Sequence, residues 1–350
     1  MAAGRRDWRR SALSDRQRRL AEFLDANGWQ WSDSSPLADD ASFRRYRRLK
    51  AADRRAVLMD APPPMEDIRP FARIARHLRT LGLSAPDVLA ENDTLGALVL
   101  EDLGDDTFTR LLEAGDDEPA LYTLAVDVLI HLHRSTAKIG VPNWLDPYDD
   151  DRLIDEAVLL TDWYLPEMTG EPTPDATRDA YVAAWKSVFS LIPFTSPTLV
   201  LRDFHVDNLM RLEGRTGVAA CGILDFQDAV AGSPAYDLMS LVEDARRDID
   251  DTLKSAMIER YLSEFADLDR DRFATAFTIL AAQRHAKVIG IFTRLCRRDG
   301  KAGYLRHIPR VWRLLEQALE HPALGAVAAW FDTCVPRDSR GVPQCRPAAE

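Results

Sequence analysis

From about residue 105 to residue 320, apolar positions recur at helical spacing in long stretches, near 107–136, 151–169, 175–191, 234–247, 251–266, 271–299 and 304–320. The pattern is interrupted at 198-TLVLR-202, 208-NLMRL-212 and 221-CGILDF-226, three short strand-like pieces separated by loops. This half must be mostly α, and its β island is where chemistry is expected, because strand ends and their loops present side chains from a rigid base. The first hundred residues read differently. A basic amphipathic helix over 14–27 precedes two strands, 42-SFRRYRRLK-50 and 55-RAVLMDA-61; the first has charge on both faces, as an exposed ribbon does. A triple proline at 62–64 precedes a helical pattern over 65–81, and 96-GALVLEDLG-104 reads as a buried strand entering a turn. The expected division is a strand-rich lobe at 1–104, a mostly helical lobe at 105–332, and a poorly ordered tail at 333–350.

At 350 residues with 46% hydrophobic content, the chain can bury two cores. No apolar run reaches the roughly 18 residues of a membrane span, and the arginine-rich start lacks the apolar middle of a secretory signal, so a cytoplasmic location is expected. The four cysteines form no CxxC pair, which argues against a disulfide framework or a structural zinc site. A net charge of −11 argues against general nucleic-acid binding, though a local basic patch can still hold a small anion.

The most informative stretch is 201-LRDFHVDNLM-210, which places Asp203, His205, Asp207 and Asn208 between apolar ends. Alone it is open to three readings: a metal site, a polar turn or a catalytic loop. A zinc hydrolase would space histidines along a helix or use a Cys/His set, and here one histidine stands between strands. Asp and Asn also favour ordinary turns. The partner segment moves the reading toward catalysis, because Asp-x-x-x-x-Asn at 203 and 208 is followed by a hydrophobic strand ending in Asp225-Phe226. Phosphoryl transfer needs this inventory: one carboxylate to accept the proton of the attacking hydroxyl, and an amide oxygen with a second carboxylate to hold magnesium.

These two segments, with 222-GILDFQDAVAGSPAYDLMSL-241, resemble the catalytic core of the aminoglycoside phosphotransferase and choline kinase family, relatives of the protein kinases. Within it, 39-DDASFRRYRRL-49, 57-VLMDAPP-63, 99-VLEDLGD-105 and 243-EDARRD-248 are more similar still to the anomeric kinases of N-acetylmuramate and N-acetylglucosamine in bacterial cell-wall recycling. The resemblance implies a protein-kinase-like two-lobed α+β fold, with a small strand-rich N-lobe and a larger helical C-lobe, using ATP and Mg2+. It implies Asp203 as catalytic base, Asn208 and Asp225 as magnesium ligands, and Asp237 as a structural anchor of the catalytic loop. It also implies a hinge at 100-LEDL-103, where the carbonyl of Glu101 and the amide of Leu103 would meet adenine.

The chain departs from the protein-kinase pattern at 55-RAVLMDAPP-63, which has no lysine to hold the phosphates. Arg44 and Arg45 are the nearest replacements, of which strand alternation would turn one toward the nucleotide; Arg45 is the first choice, with Glu66 as an acid that could pair with either. The turn 38-ADDAS-42 lacks the glycines of a phosphate-covering loop, and Asp39 stands where the sugar-kinase relatives would have glycine. For the acceptor, His205, Asp207, Gln227 and Asp228 lie within the catalytic and metal segments. Arg246 and Arg284 are candidate cations for an anion such as the muramate lactyl group; Arg284 falls on the apolar stripe of its helix and, if buried, must be paired, by an internal carboxylate or by a bound anion. The small-molecule partner is thus expected to be an amino sugar. The rivals are an aminoglycoside-type kinase and a catalytically silent nucleotide-binding module.

Overall fold

The computed structural model describes residues 14–37, 43–192 and 197–344. The turn 38–42, including Asp39, lies outside the described residues. The chain forms two compact units, one running through Thr80 with Ala85–Gly104, the other comprising Leu81–Ser84 and the chain from Asp105 onward.

The first unit contains α1 (Asp15–Ala26), β1 (Ser34–Pro36), β2 (Arg45–Lys50), β3 (Arg55–Asp60), α2 (Arg69–Thr80), β4 (Val88–Asn92) and β5 (Ala97–Glu101). Its five strands make one antiparallel sheet in the order β1-β2-β3-β5-β4. Leu20, Phe23 and Leu24 of α1 pack with Trp29 on Leu49, Ala56, Leu58, Ala97 and Val99, the alternate residues that a period of two puts on one sheet face. Leu49 is the only buried residue of β2, so this strand is the exposed ribbon that its charges indicate. The helix expected over 65–81 begins only at Arg69, which leaves Glu66 in the turn ahead of it.

The second unit is mostly helical: α3 (Phe108–Glu113), α4 (Glu118–Ile139), α5 (Asp150–Ala157), α6 (Leu165–Thr169), α7 (Asp175–Phe189), α8 (Ala235–Val242), α9 (Asp251–Ser263), α10 (Arg270–Asp299), α11 (Ile308–Leu319) and α12 (Gly325–Cys334). Between α7 and α8 lies the β island, where β6 (Thr198–Val200) pairs antiparallel with β9 (Val230–Gly232), and β7 (Leu209–Arg211) with β8 (Cys221–Ile223). Two expected helices are interrupted. The pattern at 107–136 breaks at Gly115, which has a φ of +87°, and restarts where the Asp117 side chain caps α4. That at 151–169 passes through a π turn at Leu160–Tyr164. There the backbone approaches α10 closely: a Cβ on Gly290 would lie 2.3 Å from the carbonyl of Leu159, so only glycine admits the contact.

The tail reading fails for residues 333–344. The Arg340 side chain is buried against Glu316 at 2.8 Å with its guanidinium 5.5 Å from the Trp312 ring, and the Gly341 amide donates to the Tyr164 hydroxyl at 3.0 Å. A polar composition hid one arginine that carries the segment into the core.

Candidate active site

Asp203 follows β6, and Asn208 closes a single 3₁₀ turn before β7. Pairing of Leu209 with Ile223 brings the end of β8 alongside, and the Leu224 amide donates to the Asn208 carbonyl at 2.9 Å. The Asn208 side chain therefore meets both the Asp203 backbone and the Asp225 carboxylate. Asn208 Nδ2 donates to the main-chain carbonyl of Asp203 at 2.9 Å and lies 3.4 Å from Asp225 Oδ2. Gln227 Nε2 donates to Asp225 Oδ1 at 2.8 Å.

Asp237, on the first turn of α8 and wholly buried, accepts the Leu201 amide at 2.6 Å and the Arg202 amide at 2.9 Å. Burial pushes its carboxyl up to about 7 against the pull of these two donors. Asp237 thus grips the backbone where it turns into Asp203. Arg202 and Asp225 are also the two non-glycine residues with positive φ among the described residues, at 71° and 57°. Such conformations cost free energy and persist where the surroundings over-determine them, as at active sites.

A charged network supports the loop from beneath. Buried Glu156 pairs with the Arg202 guanidinium and with Lys287 Nζ at 2.9 Å, and accepts from the Tyr148 hydroxyl at 2.5 Å. Burial would raise the Glu156 pKa, but Lys287 and then Arg202 override it and hold it low. The same contest decides Asp203: desolvation raises its pKa, while Lys287, His205, Arg284 and Arg202 outweigh it and bring it below the usual carboxylate range. Sequence reading missed Glu156 and Lys287. The signal for Lys287 was its place in 281-AAQRHAKVIG-290, where a lysine sits among small and apolar residues of a helix otherwise fit for burial.

Other candidates gather around this core. Buried His205 has Nε2 at 3.4 Å from Asn208 Nδ2 and 3.5 Å from Arg246 Nη1, and burial lowers its pKa toward the neutral imidazole. Asp207 accepts from the Thr109 hydroxyl and lies 3.5 Å from Arg246 Nε. Arg284 is buried on α10. Asp228 is exposed, and its carbonyl, rather than its carboxylate, accepts from Arg202 at 3.3 Å.

In the strand-rich unit, Arg44 Nε pairs with Glu66 at 3.0 Å, both side chains largely shielded, whereas Arg45 opens β2 exposed. Glu101 ends β5 with its carboxylate 3.3 Å from Arg79 Nη1, and half-buried Leu103 follows it. Between them Asp102 pairs with Arg48 Nε at 2.8 Å and accepts the Gly104 amide at 3.0 Å, which fixes this segment to β2.

The profile of the phosphotransferase enzyme family (APH) matches residues 33–274. The chain belongs to that family. This phosphotransferase is 36% identical to an N-acetylmuramate/N-acetylglucosamine kinase of Caulobacter vibrioides, over 93% of its own length and 99% of the relative's. It is 37% identical to a kinase of the same name from Pseudomonas aeruginosa, over 86% and 88%. Among solved structures it superposes on a choline kinase of Streptococcus pneumoniae with a TM-score of 0.58 at 11% identity, covering 88% of this chain and 100% of that one. A streptomycin- and ATP-bound APH(2")-IIa gives 0.54 at 16%, covering 89% and 98%. The phosphotransferase therefore has the kinase-like α+β fold, and among its described residues no helix is long and apolar enough to cross a membrane. No cluster of three or more His, Cys, Asp or Glu side chains suited to a metal occurs among them either. A magnesium ion carried with phosphates needs fewer, because it keeps waters and phosphate oxygens in its shell and takes one or two protein ligands. Asn208 and Asp225 fit that demand, since the amide nitrogen is committed to the Asp203 carbonyl and leaves Oδ1 for a cation.

Proposed function

We propose that this phosphotransferase is an ATP- and magnesium-dependent 1-kinase of N-acetylmuramate and N-acetylglucosamine, acting in the cytoplasm in the recycling of cell-wall sugars. The reading is carried by the meeting of Asp203, Asn208 and Asp225 through the Asn208 amide, in a chain with relatives of that name along nearly its whole length. In the proposed reaction the Asp203 carboxylate takes the proton of the anomeric hydroxyl. The freed oxygen forms a bond to the γ-phosphorus as the bond to the β-phosphate oxygen breaks, and ADP leaves. The anomeric hydroxyl is more acidic than an ordinary alcohol, so positioning by Asp203 and its loop outweighs proton abstraction in the rate. Magnesium held by Asn208 and Asp225 would neutralise charge on the phosphates. Arg44, oriented by Glu66, is assigned to the phosphates in place of a strand lysine, and the backbone of Glu101 and Leu103 to adenine. His205, Asp207, Arg246 and Arg284 are assigned to the acceptor; Gln227 serves Asp225. Arginines beside the base disfavour a polycationic aminoglycoside as acceptor, because like charges brought together out of water repel strongly.

The test is product analysis after incubation with ATP, Mg2+ and each sugar. Phosphorus and proton NMR should find phosphate on C1 of the amino sugar. A product phosphorylated elsewhere, or an aminoglycoside consumed while both sugars remain, would overturn the reading.

A further inference from the structure

Helix α10 buries four polar side chains within five residues: Gln283, Arg284, His285 and Lys287. Three of them have protein partners. Gln283 Nε2 donates to the Leu153 carbonyl at 2.9 Å, His285 Nε2 lies 2.7 Å from Glu243 Oε2, and Lys287 Nζ lies 2.9 Å from Glu156. Arg284 is different. It is a permanent charge, 4% exposed, with which no carboxylate among the described residues pairs; its Nη1, like Gln283 Oε1 and His285 Nδ1, is buried with no hydrogen-bond partner.

A guanidinium removed from water without a counter-charge is strongly unfavourable, so native structures supply one, from the chain or from a ligand. Neighbouring cations do not share the problem. Arg202 and Lys287 divide Glu156, and Arg246 lies beside Asp207. Asp237 has both oxygens occupied by backbone amides. The uncompensated charge belongs to the reaction site, since Gln283 and Lys287 on either side of Arg284 both reach Glu156, at 3.3 Å and 2.9 Å, and Glu156 pairs with Arg202 next to Asp203. His205 Nδ1 is likewise buried without a partner. Two unpartnered polar groups beside the base mark where a bound molecule completes the hydrogen bonding.

We propose that Arg284 receives the carboxylate of an acidic acceptor, so that the site selects an amino sugar bearing an acid-carrying ether, as in N-acetylmuramate, over the same sugar without it. The inference rests on the amino-sugar kinase reading and deepens it. A planar guanidinium matches a carboxylate through two parallel hydrogen bonds, a geometry that an ester or a bare hydroxyl does not offer.

The experiment compares kcat/KM of the full-length enzyme on N-acetylmuramate, its methyl ester and N-acetylglucosamine. The wild-type enzyme should favour the free acid over the ester by about tenfold or more, the size of a lost charged hydrogen bond. Arg284→Met should bring the ratio of free acid to ester to within about twofold of one, whatever happens to the absolute rates, while Arg284→Lys, which keeps the charge without the fork, should retain part of the preference. Equal losses on all three acceptors would overturn the proposal and assign Arg284 to the phosphoryl group or to structure. So would a wild-type enzyme indifferent to esterification, a result that needs no folded variant. Failure of the wild-type enzyme on every amino sugar would instead sink the kinase reading beneath it.

Discussion

The amide of Asn208 donates to the main-chain carbonyl of Asp203 across 2.9 Å, which ties a proposed metal ligand to the backbone of the proposed base. Loss of one should therefore disturb the other in a definable order. Asp203→Asn keeps this hydrogen bond and removes only the carboxylate, so nucleotide binding should survive while kcat falls by at least about a hundredfold. Asn208→Ala removes both a ligand and the tie, and should raise the magnesium needed for half-maximal rate as well as lower kcat. Titration calorimetry with ADP and steady-state rates over a magnesium series check the pair. Near-normal turnover in Asp203→Asn would remove that residue from the chemistry.

Arg44 and Arg45 are adjacent, but only Arg44 is shielded and held by an acid, Glu66, at 3.0 Å. An arginine fixed in this way loses less entropy on gripping a phosphate than one on an open strand edge. Arg44→Ala should raise the KM for ATP by about tenfold or more without moving the sugar KM, Glu66→Gln should raise it less, and Arg45→Ala should stay close to wild type. A larger effect at Arg45 would restore it as the phosphate-binding arginine.

That contrast illustrates what the sequence made legible. Helices α7, α9 and α10 followed from periodicity because long amphipathic or buried runs repeat their signal many times. The proximity of residues 203, 208 and 225 was legible because the polar residues cluster between short apolar strands that can only pair locally. Strand β4, 88-VLAEN-92, was missed: at the sheet edge it is nowhere fully buried, and Val88, Leu89 and Ala90 run together without the apolar-polar alternation that marks a strand. The union of Glu156, Arg202 and Lys287 was beyond reach for another reason. Glu156 and Lys287 are far apart in the chain, and nothing local marks which buried acid meets which buried cation.

His133 gives the fold a predictable response to acid. It is buried on α4 with Nδ1 2.6 Å from the Tyr261 hydroxyl, and burial lowers its pKa to about 3. In the unfolded chain an imidazole takes up its proton near pH 6.5. Between those values the unfolded state binds a proton that the folded state refuses, so stability is complete above about 6.5 and declines as pH falls toward 3. His133→Gln can keep a hydrogen bond to Tyr261 but cannot titrate. The wild-type protein should therefore lose about 1 kcal/mol more than the variant between pH 7.5 and 5.5, in urea unfolding at both values. Parallel losses would mean that His133 is protonated in the folded state.

Arg340 tests whether the last described segment belongs to the fold. Its side chain is 3% exposed, pairs with Glu316 at 2.8 Å and Asp332 at 3.3 Å, and donates through Nε to the Val335 carbonyl at 2.9 Å. A fully buried pair broken on one side costs about 3–5 kcal/mol, because the remaining charge is stranded. Here Glu316 and Asp332 keep access to water, at 29% and 74% side-chain exposure, so neither is stranded and the loss comes mainly from packing against Trp312 and Phe331. Arg340→Met should accordingly destabilise by about 2 kcal/mol, and Asp332→Asn by less than about 0.5 kcal/mol, since the latter removes one exposed partner of a well-held cation. Urea midpoints at constant m-value measure both. If Arg340→Met leaves the midpoint unchanged, the segment after α12 contributes nothing to the core and its packing is incidental.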